Sequence, residues 1–314
     1  MSSKHCGIIT KDVVSGRIVG RLHLPDREGR YPGVVVLGGS GGGLNWSADV
    51  AAQLAQNGYA ALALAYFGMP SLPKTLVNIE IEYFEAAFDW LKRQSSVNST
   101  HLALVGGSRG GELALQLAAS FPSIAVVVCY APSSVRWGPV GGLATIGKPA
   151  WKWQGQPLPQ MPRPRLIRLA SELGKLILSR VFRVPYRETP LFETALMDER
   201  AVQEATIPVE RIRGPVLLIS GTDDQLWPST MMCEMITDRL KANSHPFIYK
   251  HLKYEGAGHA ISLPDLQPDC YPIKVRHRIT GITYALGGTP EANAIASKDA
   301  WKEVLKFLAE HTSG

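Results

Sequence analysis

The run from Leu102 to Leu117, Leu-Ala-Leu-Val-Gly-Gly-Ser-Arg-Gly-Gly-Glu-Leu-Ala-Leu-Gln-Leu, constrains this chain more than any other stretch. Leu102 to Val105 is an apolar run of the kind that forms a buried strand. Gly106 to Gly110 is a corner of small residues around Ser108, and beyond it Leu113, Leu117 and the alanines between them recur at helical spacing. A G-x-S-x-G at a strand-to-helix corner is the pattern of a nucleophile elbow. Its glycines let strand and helix approach closely, and its serine takes a strained, exposed conformation over the positive end of the helix. A glycine-rich turn that merely contains a serine is the competing explanation; the strand and helix on either side favour the nucleophile.

The elbow sits within an alternation of buried strands and helices. Gly33 to Leu37 predicts a strand buried on both faces, Ala48 to Gln56 a helix, Tyr59 to Leu64 a strand, and Ile79 to Arg93 a helix. Ile124 to Cys129 and Pro215 to Ser220 predict further strands, followed by a helix over Thr230 to Lys241, a strand over Phe247 to Leu252 and a terminal helix over Ala296 to Leu308. Such an alternation specifies an α/β fold: a mostly parallel central sheet with helices on both faces. At 314 residues the chain is read as one domain, 1–314, with an N-terminal β-ribbon over 1–31. The alternation breaks over about 133–207, a Pro-, Trp- and Arg-rich stretch read as an inserted cap. Leu166, Leu169, Ala170, Leu173, Leu176 and Ile177 predict an amphipathic helix within it. Arg163, Arg165, Arg168, Lys175, Arg180, Arg183 and Arg187 face few nearby acids there, so the net charge of +6 is concentrated in one segment.

That charge brings no nucleic-acid partner with it, because the chain has no basic tail, aromatic-interleaved patch or nucleic-acid motif. No apolar stretch is long enough to span a bilayer. The N-terminal residues lack the apolar core of a secretion signal, and Cys6, Cys129, Cys233 and Cys270 have no metal-type spacing. The expectation is a cytoplasmic protein with reduced thiols, no metal and no cofactor; the oligomeric state is left open.

A serine needs a base and an orienting acid, because its hydroxyl is a poor nucleophile near neutral pH. The strand ending at Ser220 runs into Gly-Thr-Asp-Asp-Gln-Leu-Trp-Pro, placing Asp223 and Asp224 at the carboxyl edge of the sheet, where ligands gather. Asp224, three residues past the glycine, is the expected acid; two turn-forming aspartates are the alternative. His259 follows the next strand in the glycine-rich stretch Gly256-Ala-Gly-His, a setting that the other histidines lack. The loop Gly38 to Gly43 has neither the lysine of a phosphate loop nor a dinucleotide fingerprint. Beside an elbow it suits an oxyanion hole, with the Arg109 amide and one from Gly39 or Ser40 meeting the negative oxygen.

With these residues in place the chain resembles the α/β-hydrolase superfamily. More narrowly it is similar to the C-terminal catalytic domain shared by acyl-CoA thioesterases and bile acid-CoA:amino acid N-acyltransferase. The residues that carry this are Val36 to Gly43, Leu62 to Gly68, Gly106 to Glu112, Ser220 to Ser229, Gly256 to His259, Gly287 to Ala292, Ala296 and Trp301. The resemblance implies an α/β-hydrolase fold with an inserted cap. It also implies a serine hydrolase of acyl thioesters, acting through Ser108, His259 and Asp224 on a small-molecule acyl thioester or ester. Two differences from the family are visible: animal members carry a β-sandwich ahead of this domain, and the amino-acid transferases use cysteine where this chain has Ser108. The C-terminal residues are not a peroxisomal address. The basic segment offers charge-assisted hydrogen bonds to CoA phosphates. A carboxylesterase or dienelactone-hydrolase-like esterase, an N-acyltransferase, and a binding protein on an inactive fold are the alternatives.

Overall fold

A computed structural model describes residues 7–140, 145–162, 166–264, 271–277 and 281–312. In chain order the first half forms β1 (Ile8–Ser15), β2 (Ile18–Pro25), β3 (Tyr31–Leu37), α1 (Asn45–Gln56), β4 (Ala60–Ala65), β5 (Ile79–Glu80), α2 (Glu82–Lys92), β6 (Val97–Gly107), α3 (Arg109–Ser120) and β7 (Ile124–Tyr130). The second half forms β8 (Trp151–Trp153), β9 (Gln156–Pro157), α4 (Leu166–Phe182), α5 (Thr189–Leu196), α6 (Glu199–Ala205), β10 (Val216–Gly221), α7 (Ser229–Ala242), β11 (Tyr249–Tyr254), β12 (Lys274–Arg276), β13 (Thr283–Ala285) and α8 (Pro290–Thr312).

Val34 to Leu37 and Ala60 to Ala65 are wholly buried, as strands must be when helices cover both faces of a sheet. The main sheet has the order β1-β2-β4-β3-β6-β7-β10-β11. The pairs β1/β2 and β2/β4 are antiparallel, and every later pair is parallel. Side chains of α2, α3 and α7, among them Phe84, Phe88, Leu113, Leu117 and Ile236, pack on one face. Those of α1 and α8, among them Leu54, Trp301, Val304 and Phe307, pack on the other. Each such side chain contributes about 1.5–3 kcal/mol by leaving water, which is what holds helices to both faces. From β3 the chain steps outward to β4, then returns across β3 to β6 and continues the opposite way. The loops after β3 and β6 therefore diverge at a switch point, and the crevice between them is where α/β sheets bind ligands.

The predicted α/β architecture is the one observed, with local differences. Residues 8–25 form a hairpin whose second strand joins β4, so the N-terminal ribbon is the edge of the main sheet. Helix α2 starts at Glu82 rather than Ile79. Ile79 and Glu80 pair instead with Trp151 and Lys152, and Ile79 is buried in the core, an outcome its helical spacing could not reveal. Helix α8 is longer than expected, beginning at Pro290, where proline's fixed φ and missing N–H suit a helix start. Between β7 and β10 lie β8, β9 and helices α4 to α6. Phe192, Ala201 and Val202 of α5 and α6 pack against Val135, Trp137, Met161, Ala205 and Trp227. Arg163 and Arg165, like Cys6 and Cys270, lie outside the described residues, whereas Cys129 and Cys233 are buried free thiols.

Candidate active site

The corner between β6 and α3 is built by close approach. A Cβ on Gly106 would lie 2.2 Å from the carbonyl oxygen of Gly110, and one on Gly110 would lie 2.1 Å from that of Leu37. Only glycine fits at these two positions, and their absent side chains let α3 start directly on the sheet. Ser108, between them, has φ 56° and ψ −120°, a region that non-glycine residues avoid. Its N–H donates to Tyr130 O at 2.8 Å, and its own carbonyl accepts from Gly111 and Glu112, so the strained turn is fixed from both sides. Arg109 is the first helical residue, and a first-turn N–H has no carbonyl inside its own helix. Gly39 abuts the elbow: a Cβ there would lie 3.1 Å from Ser108 Cβ and 3.6 Å from Ser108 Oγ. Ser40 stands next in the same loop.

Two strands away, Asp224 ends the turn after β10. Its carboxylate is buried and saturated with donors: Oδ1 accepts the N–H groups of Leu226 (3.0 Å) and Trp227 (3.2 Å), and Oδ2 accepts the Ser229 hydroxyl at 2.6 Å. The same Oδ2 lies 2.8 Å from His259 Nδ1. A carboxylate bound to Nδ1 makes that nitrogen the protonated one and leaves Nε2 as the basic face of the ring. His259 is held on its backbone side by its N–H to Leu286 O at 2.8 Å, and Gly258 N–H donates to Asn293 Oδ1 of α8 at 2.7 Å. Trp227 meets the imidazole edge to face, with ring centres 5.9 Å apart, and Phe192 meets Trp227 in the same manner. Thr189 Oγ1 donates to Asp224 O at 2.9 Å, which ties α5 to the acid turn.

The three residues named from sequence thus stand at the carboxyl ends of β6, β10 and β11, on one edge of one sheet. Asp224 and His259 are joined directly. No hydrogen bond joins Ser108 Oγ to the imidazole among the described residues. The neighbouring carboxylate of Asp223 has different partners: it accepts from Gln225 Nε2 and from the N–H of Gly288.

Two features escape sequence reasoning. The Ser229 hydroxyl on Asp224 reads from sequence only as the start of α7. The second feature is a buried network behind the elbow. Arg109 Nη1 donates to Glu112 Oε2 at 2.7 Å and Nη2 to Trp137 O at 2.9 Å. Glu112 Oε1 accepts from Trp151 Nε1 at 2.8 Å and from the Trp137 N–H at 3.3 Å. Burial pushes the Glu112 carboxyl up and the Arg109 guanidinium down, and each partner opposes the shift in the other. The i,i+3 spacing of Arg109 and Glu112 was the one available signal.

Residues 79–142 and 183–314 match the family described as BAAT / acyl-CoA thioester hydrolase C terminal. Human acyl-coenzyme A thioesterase 6 is 30% identical over 314 residues, covering 98% of this chain and 66% of that protein. Human acyl-coenzyme A thioesterase 1 is 31% identical over 313 residues, with coverage of 98% and 66%. The chain thus spans a little under two thirds of the length of these relatives. Among solved structures, a dienelactone hydrolase-like promiscuous phosphotriesterase from metagenomic libraries superposes with a TM-score of 0.57 at 18% identity, covering 97% of this chain and 98% of that one. A Pyrococcus furiosus esterase gives 0.54 at 14%, covering 98% and 94%. These likenesses establish the α/β-hydrolase fold, and with the match over residues 79–142 and 183–314 the chain belongs to the BAAT / acyl-CoA thioester hydrolase C-terminal family.

Proposed function

We propose that this chain is a serine hydrolase of acyl thioesters, an acyl-CoA thioesterase working through Ser108, His259 and Asp224. The observation that carries the reading is the 2.8 Å bond between Asp224 Oδ2 and His259 Nδ1, made on the sheet edge where Ser108 occupies its positive-φ corner. Family membership and relatives named acyl-coenzyme A thioesterases support the substrate class.

In this mechanism Ser108 Oγ attacks the thioester carbonyl while His259 Nε2 takes its proton, and Asp224 stabilises the imidazolium. Carbonyl double-bond electrons move onto oxygen, which the N–H groups of Arg109 and of Gly39 or Ser40 receive. The intermediate collapses with loss of the CoA thiolate, a good leaving group that takes the proton from His259 as it departs and so returns the imidazole to its neutral, basic form. Water then attacks the acyl-serine ester, giving its proton to His259, and the acid leaves as Ser108 regains a proton. The serine-to-imidazole bond tightens when substrate fills the site, as in other enzymes whose free forms hold these groups apart. Residues 133–207 serve as a cap on a single domain. The buried free thiols of Cys129 and Cys233 fit a reducing compartment such as the cytoplasm.

Replacing Ser108 by Ala tests the reading. With acyl-CoA and a nitrophenyl ester assayed in parallel, hydrolysis should fall by roughly three or more orders of magnitude with the circular dichroism spectrum unchanged. The parent should prefer the thioester. A folded Ser108→Ala protein of near-parental activity refutes the mechanism. A parent active only on oxygen esters refutes the substrate class.

A further inference from the structure

Among its described side chains, residues 172–182, helix α4 docks by one edge. Ser179, its one buried residue among those whose side chains are described, donates through Oγ to Thr283 O at 2.8 Å and accepts the Thr283 N–H at 2.9 Å. Glu172, on the same side, accepts the Tyr186 hydroxyl at 3.0 Å. The opposite side carries large apolar groups in solvent: Leu173, Ile177, Leu178, Val181 and Phe182 are 55%, 51%, 48%, 62% and 70% exposed. At roughly 100° per residue these five fill an arc of about 180° turned away from the docked edge. Lys175 falls at one border of that arc and Arg180 at the other. Arg183 follows in a left-handed conformation that ends the helix, and Arg276 reaches Arg180 O across its end at 3.5 Å. Arg180, Arg183, Arg187, Lys274 and Arg276 are all exposed.

An apolar arc with cations at both borders is the pattern of a helix lying in a membrane interface, its apolar side in the acyl boundary and its long basic side chains reaching the headgroups. We propose that the exposed side of α4 docks onto an anionic phospholipid surface, with Leu173, Ile177, Leu178, Val181 and Phe182 entering it and Lys175, Arg180 and Arg183 meeting lipid phosphates. The charge selects this occupant over a second copy of the chain. Two such faces laid together would bring Lys175 and Arg180 of one against those of the other, and the one acid among the described side chains of α4, Glu172, is already bonded to Tyr186 and Lys175. A surface of like-charged acceptors over hydrocarbon satisfies both parts of the pattern. No described helix is long and apolar enough to cross a bilayer, so the contact is peripheral.

The inference is independent of the proposed chemistry, because it is read by binding and not by turnover. The full chain is sedimented with vesicles of phosphatidylcholine alone and of equimolar phosphatidylcholine and phosphatidylserine. It should bind the anionic vesicles and be released by salt. Arg180→Gln and Arg183→Gln should each lower the partition coefficient about fivefold. Val181→Ser/Phe182→Ser should abolish binding, and all variants should keep the parental melting temperature because the substituted side chains are exposed. Failure of the parent to bind anionic vesicles overturns the proposal, as does unchanged binding by the Val181/Phe182 variant. A parent that is dimeric by light scattering and becomes monomeric on the Val181/Phe182 change overturns it in favour of self-association.

Discussion

The carboxylate of Asp223 accepts the backbone N–H of Gly288 at 2.8 Å, while that of Asp224, the next residue, accepts from His259 at 2.8 Å. Adjacent acids therefore do different work: Asp223 fastens the acid turn to residues 287–288, and Asp224 orients the imidazole. Asp224→Asn should lower kcat for acyl-CoA by roughly three to four orders of magnitude, since an amide can leave the ring in the wrong tautomer. Asp223→Asn keeps an acceptor for Gly288 and should stay within about tenfold of the parent, the scale of a modest displacement in a supporting turn. Parallel steady-state assays check the ranking, and a reversed order would transfer the orienting role to Asp223.

Gly39 tests the oxyanion assignment. A Cβ at this position meets Ser108 Cβ at 3.1 Å and Gly107 O at 3.2 Å, so Gly39→Ala must push the loop after β3 away from the elbow by a few tenths of an ångström. A donor misplaced at the oxyanion costs transition-state binding, and the loss should appear in kcat, about a hundredfold, with KM little changed. Unchanged kcat in the alanine variant would remove Gly39 from the oxyanion hole.

The elbow was legible because its two constraints are local: a buried strand and a helix must meet, and only glycines allow it. The positions of Asp224 and His259 were legible for a related reason, each lying just beyond a strand whose run of residues marks the carboxyl edge of the sheet. What stayed hidden depends on partners distant in sequence. The pairing of Ile79 and Glu80 with Trp151 and Lys152 involves strands too short to carry a period. The Ser229 bond to Asp224 looks, from sequence, like an ordinary helix start. For α4 the helical spacing revealed an apolar face but not whether anything covers it, and the structure leaves that face in solvent.

Glu188, at the start of α5, gives the chain a pH-dependent stability. Burial pushes its carboxyl from 4.5 to about 7. Between those values the folded chain holds a proton that the unfolded chain has lost, so stability falls as pH rises through the window, and the full penalty is present above it. Glu188→Gln removes this titration. The variant should match the parent near pH 4 and exceed it at pH 8, by at most about 3 kcal/mol in urea unfolding. Parallel pH profiles for the two proteins would show that the carboxyl is solvated in the folded chain.

The buried pair behind the elbow yields the last prediction. Glu112→Gln keeps an acceptor for Trp151 Nε1 but turns an amide N–H₂ toward the Arg109 guanidinium, leaving a buried cation without its counter-charge. Arg109 Nε already lacks a hydrogen-bond partner, and what remains, the Trp151 ring face 5.7 Å away and the Trp137 carbonyl, offsets the charge only in part. Breaking one side of a buried pair costs about 3–5 kcal/mol. Replacing both partners by apolar residues often restores stability, but here it strands three buried groups: Trp151 Nε1, Trp137 N–H and Trp137 O. At roughly 1–3 kcal/mol for each orphaned group, that loss is as large as the one it repairs. Arg109→Leu/Glu112→Leu should therefore be no more stable than Glu112→Gln in urea unfolding. The double variant should lose activity even where folded, because Trp137 and Trp151 then lose the Glu112 oxygen through which they brace the first turn of α3. A double variant as stable as the parent would mean that the tryptophans find other partners and that the ion pair is dispensable to the elbow.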